Sequence, residues 1–588
     1  MTAIRTVLTL FVMTVIIGGE HTAHAVTLPQ LPQKQVNVAM PTVNGSTLTA
    51  TCATLQARLN TAATLNVNLT HQIILAAGAT CTGPYMLPAH TGGTGWILIK
   101  GSNYAKLPLP GTRVKLTDTS LMPHIKYGER EEGSYTHVGA FSARTGAQRY
   151  RIMGIDMVQD STRNPNLALV VTGYGHPNAL NTGYIILDRV VIRDTNATHQ
   201  TLRGVYGDAQ RGHTALIDSY VAGIKDVGLN NDTQAWLSIS NPGPILVQNN
   251  FLEASGENLM LGGGDPVSAT VLPKDVTIRR NTFSKNSAWW GDRGYLTKTL
   301  LELKLGVRVL IEGNDFINMP WNGGGYAVLL TARNQDGSAP FSEVSDLTIR
   351  HNLFRNITNG IFGFGADDAG PRNLSKRSKR WHIHNNLFYG LGGSLCGGGA
   401  ACGTWIIIEE GGTSCIDPGP GSNCEVSDLR IAHNTVDDIN EYTFQAVRTN
   451  QRGLDFRDNL INVNGGRGIF NGGLWGTKFL NAHYGSTWIF TNNQLAAIGG
   501  GEETVLYPQG TNRYPASATS FLWANRAGRV YTLQAGSPAK SAASDGTDQG
   551  VNFSLYNTAR ASRSVSTSTL SDPAVSIPPQ QLRIAMPN

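Results

Sequence analysis

Ile278-Arg279-Arg280-Asn281-Thr282-Phe283 is a phrase to which the chain keeps returning. It reappears as Ile311-Glu312-Gly313-Asn314-Asp315-Phe316, as Ile349-Arg350-His351-Asn352-Leu353-Phe354 and as Ile383-His384-Asn385-Asn386-Leu387-Phe388. Weaker copies surround Asn249, Asn434 and Asn459. A strand–turn–strand unit repeated at intervals of tens of residues marks a solenoid, because each unit buries its apolar face on the next. Ile and Phe point inward, and the chain turns at Asn. Asn tolerates left-handed backbone, and its amide can bond backbone groups of neighbouring turns. Stacked asparagines then form an interior ladder.

The intervals between these asparagines are 32, 33, 38, 34, 48 and 25 residues. That irregularity excludes a strict short repeat and suits coils joined by loops of varying length. Further apolar runs lie between the Asn turns: Leu259 to Leu261, Tyr326 to Leu330, Ile361 to Phe364, Trp405 to Ile408 and Thr443 to Val447. Each is expected to be another strand of its coil. The pattern over roughly residues 140–500 resembles the right-handed parallel β-helix repeats of the pectin-lyase-like superfamily. The resemblance implies an all-β, right-handed parallel β-helix solenoid with an N-terminal capping helix. One fold hosts many chemistries, so it does not by itself assign a function.

Arg5, the apolar run Val7 to Ile17 and Ala23-His24-Ala25 read as a secretory signal over residues 1–25. The apolar run is shorter than the ~20 residues that a membrane span needs. Residues 26–45, rich in Pro, Gln and Val, read as a linker. Residues 46–140 read as the N-terminal cap and first coils, with a short helix in Thr51 to Leu59. Residues 141–500 read as the β-helix, 501–556 as its C-terminal end and 557–588 as a Ser/Thr/Pro-rich tail. Six cysteines suit an oxidising, extracytoplasmic compartment. The preferred pairing is Cys52 with Cys81, plus two bridges among Cys396, Cys402, Cys415 and Cys424. The net charge of +6 mildly favours an acidic partner and suits a solubility charge with no partner at least as well. No basic run with interleaved aromatics suggests nucleic-acid binding. A monomer without a membrane span is expected.

The densest polar cluster runs from Asp232 to Arg333. In Leu301-Glu302-Leu303-Lys304-Leu305 the leucines share one strand face, so Glu302 and Lys304 share the other. The same alternation turns Arg333 outward on the next coil, ~4.8 Å away. An acid, a lysine and an arginine on adjacent coils suit β-elimination on a uronic-acid polymer. The substrate carboxylate must be neutralised, a base must take the adjacent proton, and a cation must face the departing oxygen.

Glu-x-Lys followed by an Arg one coil later resembles the alginate-lyase and chondroitinase-B type of polysaccharide lyase. That resemblance implies Lys304 as base and Arg333 as acid. It also implies Ca²⁺ held by Glu257, Asn258 and Glu302, with Asp232 as a further oxygen ligand. The chain departs from the family in the spacing of Glu and Lys and in lacking Arg-His-Gly around Arg333. Trp289, Trp290 and Trp321 are candidates for stacking on sugar rings, with Asn334 and Gln335 as polar contacts. The competing interpretation of Glu302, Lys304 and Arg333 is an ordinary surface ion pair. A non-catalytic glycan-binding or cell-surface protein and a glycoside hydrolase remain alternatives to a lyase. For hydrolysis the carboxylate pairs are Asp367-Asp368 and Glu409-Glu410. His213, His351, His382, His384 and His433 lack metal-ligand grouping.

Overall fold

The structure is a computed structural model. It describes residues 25–127, 139–159, 166–173, 182–195, 200–228, 231–266, 268–290, 294–320, 325–334, 337–366, 375–396, 402–409, 424–447 and 451–561. Residues 1–24, within the segment expected to be a secretory signal, Trp321, Gln335, Asp367-Asp368, Glu410, Cys415 and the residues beyond 561 lie outside the described residues.

Three long sheets form the walls of a right-handed parallel β-helix. The first has 14 strands, and the second and third have 13 each. Around the middle of the solenoid the chain passes in order through the first sheet (Lys274–Arg279), the second (Thr282–Ser284) and the third (Leu301–Leu303). It then re-enters the first at Gly306–Glu312. Adjacent coils pair in parallel, as in Ile278↔Ile311, Phe283↔Phe316 and Leu303↔Leu330. All the apolar runs between the Asn turns become strands of the third sheet.

The corner between the first and second sheets carries the asparagine ladder. Its members are Asn250, Asn281, Asn314, Asn352, Asn386, Asn434, Asn459, Asn493 and Asn512. Each backbone N–H in the series donates to Oδ1 of the next asparagine, over 2.8–3.1 Å. Each Nδ2 from Asn281 to Asn493 donates to that same Oδ1 and to a backbone carbonyl of the preceding coil. The register at the first weak copy differs from the expectation. Asn250, not Asn249, is the ladder member, and Asn249 takes the left-handed turn at φ 56°. From Asn281 to Asn493 the left-handed residue is likewise the one before the ladder asparagine: Arg280, Gly313, His351, Asn385, His433, Asp458 and Asn492. Asn is therefore used for its amide, and its neighbour takes the strained backbone. Behind the ladder, Phe283, Phe316, Phe354 and Phe388 stack at 4.8, 4.6 and 4.2 Å.

A short helix, Leu55–Thr64, lies a few residues beyond the Thr51 to Leu59 segment expected. It caps the first coil with Leu55, Leu59 and Ala62 buried. Cys52 and Cys81 are bridged, with Cα atoms 5.0 Å apart. Cys396 pairs with Cys402, and Cys424 is also disulfide-bonded.

Residues 26–40, read as a linker, lie along the first sheet. The amides of Thr27, Gln30 and Gln33 donate to Asp428, Asp346 and Asp275 respectively. Arg151 holds the carbonyls of Val38 and Ala39, and Val36 joins an apolar cluster with Ile186, Ile217 and Leu246. The C-terminal end returns over the second sheet, where Phe521, Trp523, Val551 and Tyr556 pack on Leu387 and Leu460. Its last helix, Phe553–Arg560, extends into the segment read as tail. There Arg560 donates to the carbonyl of Asn314, so tertiary contacts order a stretch whose composition suggested none.

Candidate functional site

The outer face of the third sheet gathers most of the charged residues expected of the site. Leu301 and Leu303 are buried in the core, which sets Glu302 on the outer side. Lys304 follows on the same side, its Nζ 3.4 Å from Glu302 Oε1. On the next coil, Leu330 and Ala332 point inward and Arg333 is outward. The Arg333 N–H donates to the Lys304 carbonyl at 3.0 Å, so the two residues are backbone neighbours across adjacent coils.

Asp232, Glu257 and Glu302 converge with further cations. Lys298 Nζ is 2.6 Å from Asp232 Oδ1 and 3.6 Å from Glu257 Oε1. Gln234 Nε2 donates to Glu257 Oε2 at 2.5 Å. Arg203 bonds the Asp232 carbonyl. Glu257 Oε1 and Gln234 Oε1 receive no hydrogen bond among the described residues. Burial raises the Glu302 carboxyl to about 7, reinforced by the negative charge of neighbouring Glu257 and opposed by Lys304 and Lys298. Burial works against the Lys298 ammonium, but Glu257 and Asp232 outweigh it and hold that group above its usual value.

Four expected contributors do not take the places assigned to them. Asn258 is fully buried. Its Nδ2 donates to the carbonyls of Leu252 and Ser284, and its Oδ1 accepts from Lys285. Its oxygen is thus committed inside the coil, not to a metal on the outer face. Trp289 is buried, tilted against Tyr295, and offers no open face to a sugar. Asn334 is fully buried, and its Oδ1 accepts from Ala339 N–H, which shapes its own loop. Trp290 is half-buried and lines a separate cavity of about 390 Å³ with Asn356, Leu395, Asp438 and Asn440. None of these belongs to the Glu302–Lys304–Arg333 group.

Sequence reasoning missed Lys285, Lys298, Arg203 and Gln234. Lys285 is enclosed in the core, and its Nζ donates to the carbonyls of Ala254, Gly256 and Thr299 and to Asn258 Oδ1. Burial lowers its amine to about 7, against the pull of Glu257 and Glu253. A signal was present: two residues after inward Phe283, the strand period sends Lys285 inward as well.

The histidines form no metal centre among the described residues. His382 and His384 stack at 3.9 Å, and His351 lies 6.0 Å from His384. Burial lowers His382 to about 3 and His351 to about 4, so both are neutral at physiological pH. His213 stacks on Tyr184 at 4.2 Å, and His433 faces Asp458 and Asp545.

No family model matches the chain, and no curated protein matches it. Similar solved structures exist. One is a mannuronic acid specific polysaccharide family 6 lyase from human gut microbiota. It is 12% identical over 77% of this chain and 86% of that one, with a TM-score of 0.41. Another is an alginate lyase from Paenibacillus sp. str. FPU-7, 11% identical over 73% of this chain and 98% of that one, with a TM-score of 0.28. A third is PfbA, a surface adhesin of Streptococcus pneumoniae, 13% identical over 79% and 95%, with a TM-score of 0.33. Similarity of this degree says nothing about the reaction.

Proposed function

We propose that this protein is an exported polysaccharide lyase that cleaves a uronic-acid-containing glycan by β-elimination on the outer face of the third sheet. The observation that carries the reading is the placement of Lys304 within 3.4 Å of Glu302 while Arg333 is its backbone neighbour on the next coil. Two cationic side chains on adjacent coils suit an anionic polymer.

In this reading Arg333 faces the uronate carboxylate or the departing glycosidic oxygen, where negative charge develops. Lys304 handles the proton α to the carboxylate. A lysine acts as base only once its ammonium has lost a proton. Glu302, 3.4 Å away, is the adjacent carboxylate that can take up that proton. Elimination then breaks the C–H and C–O bonds; the proton taken by Lys304 passes to the departing oxygen, whose charge Arg333 stabilises, leaving an unsaturated uronate end and a free hydroxyl on the leaving sugar.

Hydrolysis is the weaker reading. A retaining glycosidase keeps its carboxyl groups about 5–5.5 Å apart and an inverting one farther. Glu257 and Glu302 are instead each paired with a lysine, Lys298 at 3.6 Å and Lys304 at 3.4 Å. The disulfides support export to an oxidising compartment. Among the described residues no helix is long and apolar enough to cross a membrane.

The test is a screen of alginate, pectate and glycosaminoglycans for the ultraviolet absorbance of the unsaturated product. New reducing ends without that absorbance would show hydrolysis. Glycan retention with neither signal would show a binding protein.

A further inference from the structure

The carboxylates that would serve a divalent cation are already neutralised by side chains of the same chain. Lys298 Nζ lies between Asp232 and Glu257, at 2.6 and 3.6 Å. Lys304 pairs with Glu302. Lys285, enclosed in the core, takes Asn258 Oδ1 at 2.8 Å together with the carbonyls of Ala254 and Thr299. Lys285 thereby ties together the segments that flank Glu257 and precede Glu302. The buried Arg203 guanidinium feels both Glu257 and Asp232.

Charge decides what this cluster can accept. Three carboxylates (Asp232, Glu257 and Glu302) face three side-chain cations: Lys298 pairs with Asp232 and Glu257, Lys304 pairs with Glu302, and the Arg203 guanidinium feels Glu257 and Asp232. The cluster holds no surplus negative charge. A Ca²⁺ ion takes ~6–8 oxygen ligands and draws its affinity from carboxylates in excess of nearby cations. Adding two positive charges to a balanced cluster is opposed by Lys298 at close range.

We propose that Lys298 is the resident cation of this site, occupying with its ammonium the place between Asp232 and Glu257 that a divalent metal would take. The proposal rests on the reading of this face as a uronate site. Its consequence is that Arg333, with Lys298 behind it, neutralises the substrate carboxylate, and Ca²⁺ is not required. Lys298 is a positioning residue here: it acts through Asp232 and Glu257, which it holds, and not on the reacting atoms.

The test needs no turnover, so it separates this inference from the lyase assignment. Isothermal titration of the metal-stripped mature protein with CaCl₂ is expected to give no saturable heat. The thermal midpoint is expected to be the same in EDTA and in millimolar Ca²⁺. In Lys298→Met, Asp232 and Glu257 lose their cation, and Ca²⁺ is expected to raise the midpoint by several degrees. Lys298→Arg is expected to behave as the wild type. Saturable 1:1 binding of Ca²⁺ by the wild type, lost in Glu257→Gln, would overturn the proposal whether or not Lys298→Met folds. A folded Lys298→Met that ignores Ca²⁺ would equally remove Lys298 from the role.

Discussion

Lys304 Nζ lies 3.4 Å from Glu302 Oε1, on a strand whose opposite face buries Leu301 and Leu303. The pair is therefore separable from the core: changing Lys304 alters the outer face without opening a cavity. Lys304→Ala is expected to lower turnover of the uronate polymer by about 10²-fold or more, the usual scale for losing a positioned proton-transfer group. The coils should stay folded, since no core volume is removed, although the buried Glu302 loses its partner. Lys304→Arg is expected to fail as well, because guanidinium stays protonated. Wild-type turnover in Lys304→Ala would leave only an ordinary surface ion pair.

Glu302 and Lys285 set opposite pH slopes on stability. The Glu302 carboxyl is raised to about 7, so between its unfolded value and 7 the native state holds the extra proton. The stability linked to this group is full at low pH and is lost as pH rises through about 7. Lys285 is lowered to about 7, so between 7 and its unfolded value the unfolded state holds the extra proton. Its contribution rises with pH over that range. Denaturant unfolding across pH 4–10 is expected to show a flatter acid-to-neutral limb in Glu302→Gln and a flatter alkaline limb in Lys285→Met, each relative to wild type. Parallel curves for wild type and either variant would show that the group does not titrate as its burial demands.

The ladder makes a third prediction. Asn352 accepts from Asn314 N–H and Nδ2, and donates to the Ile311 carbonyl and Asn386 Oδ1. Asn352→Ala removes all four bonds in a fully buried position. Each buried group left unpaired costs about 1–3 kcal/mol, so a loss of several kcal/mol is expected from chemical denaturation. Asn352→Asp should be worse at neutral pH, where a carboxylate cannot donate to Ile311. A loss below about 1 kcal/mol for the alanine variant would show that the coils are held by their sheets and not by this ladder.

What was legible in the sequence follows from what strand period and turn chemistry can encode. Ile278 and Phe283, three places before and two after Asn281, fix an inward face, and from that the coils, ladder and third-sheet strands all follow. The outward pairing of Glu302 and Lys304 was legible for the same reason. Asn258 and Asn334 were misjudged because period says which side a residue leaves the strand, but not whether a corner folds it back inside. Trp289 was misjudged because loop aromatics carry no period at all. Lys298 sits in a loop that reaches Asp232 across coils, a contact set by loop length and closure that no local pattern records. Lys285 was legible and overlooked: alternation from Phe283 pointed it inward, against the expectation that lysine is solvated.

The N-terminal strap was read as a linker because proline and glutamine carry no core signal, yet its spacing encodes its seat. Leu28-Pro29-Gln30 is followed by Leu31-Pro32-Gln33, a period of three. The amides of Thr27, Gln30 and Gln33 reach Asp428, Asp346 and Asp275, all three at left-handed positions. These aspartates lie on alternate coils, and on the coils between them Arg308 and Arg380 brace Asp275 and Asp346. Three residues of polyproline II span roughly 9.3 Å, and two coils span roughly 9.6 Å. The strap and solenoid are therefore commensurate, with one amide per two coils and both leucines about half exposed. Asp346→Ala removes the central anchor and leaves Arg380 without its carboxylate partner. Hydrogen exchange at the Gln30 amide is expected to speed up by at least ~10-fold, the equivalent of a charged hydrogen bond worth about 1.5–3 kcal/mol. Cleavage by an added protease should move into residues 27–40 while the coils stay intact. Inserting one residue between Gln30 and Leu31 should have the same effect without touching any aspartate, because it breaks the period. Unchanged exchange in both variants would show that apolar contacts at Val36 hold the strap and that the aspartate track is incidental.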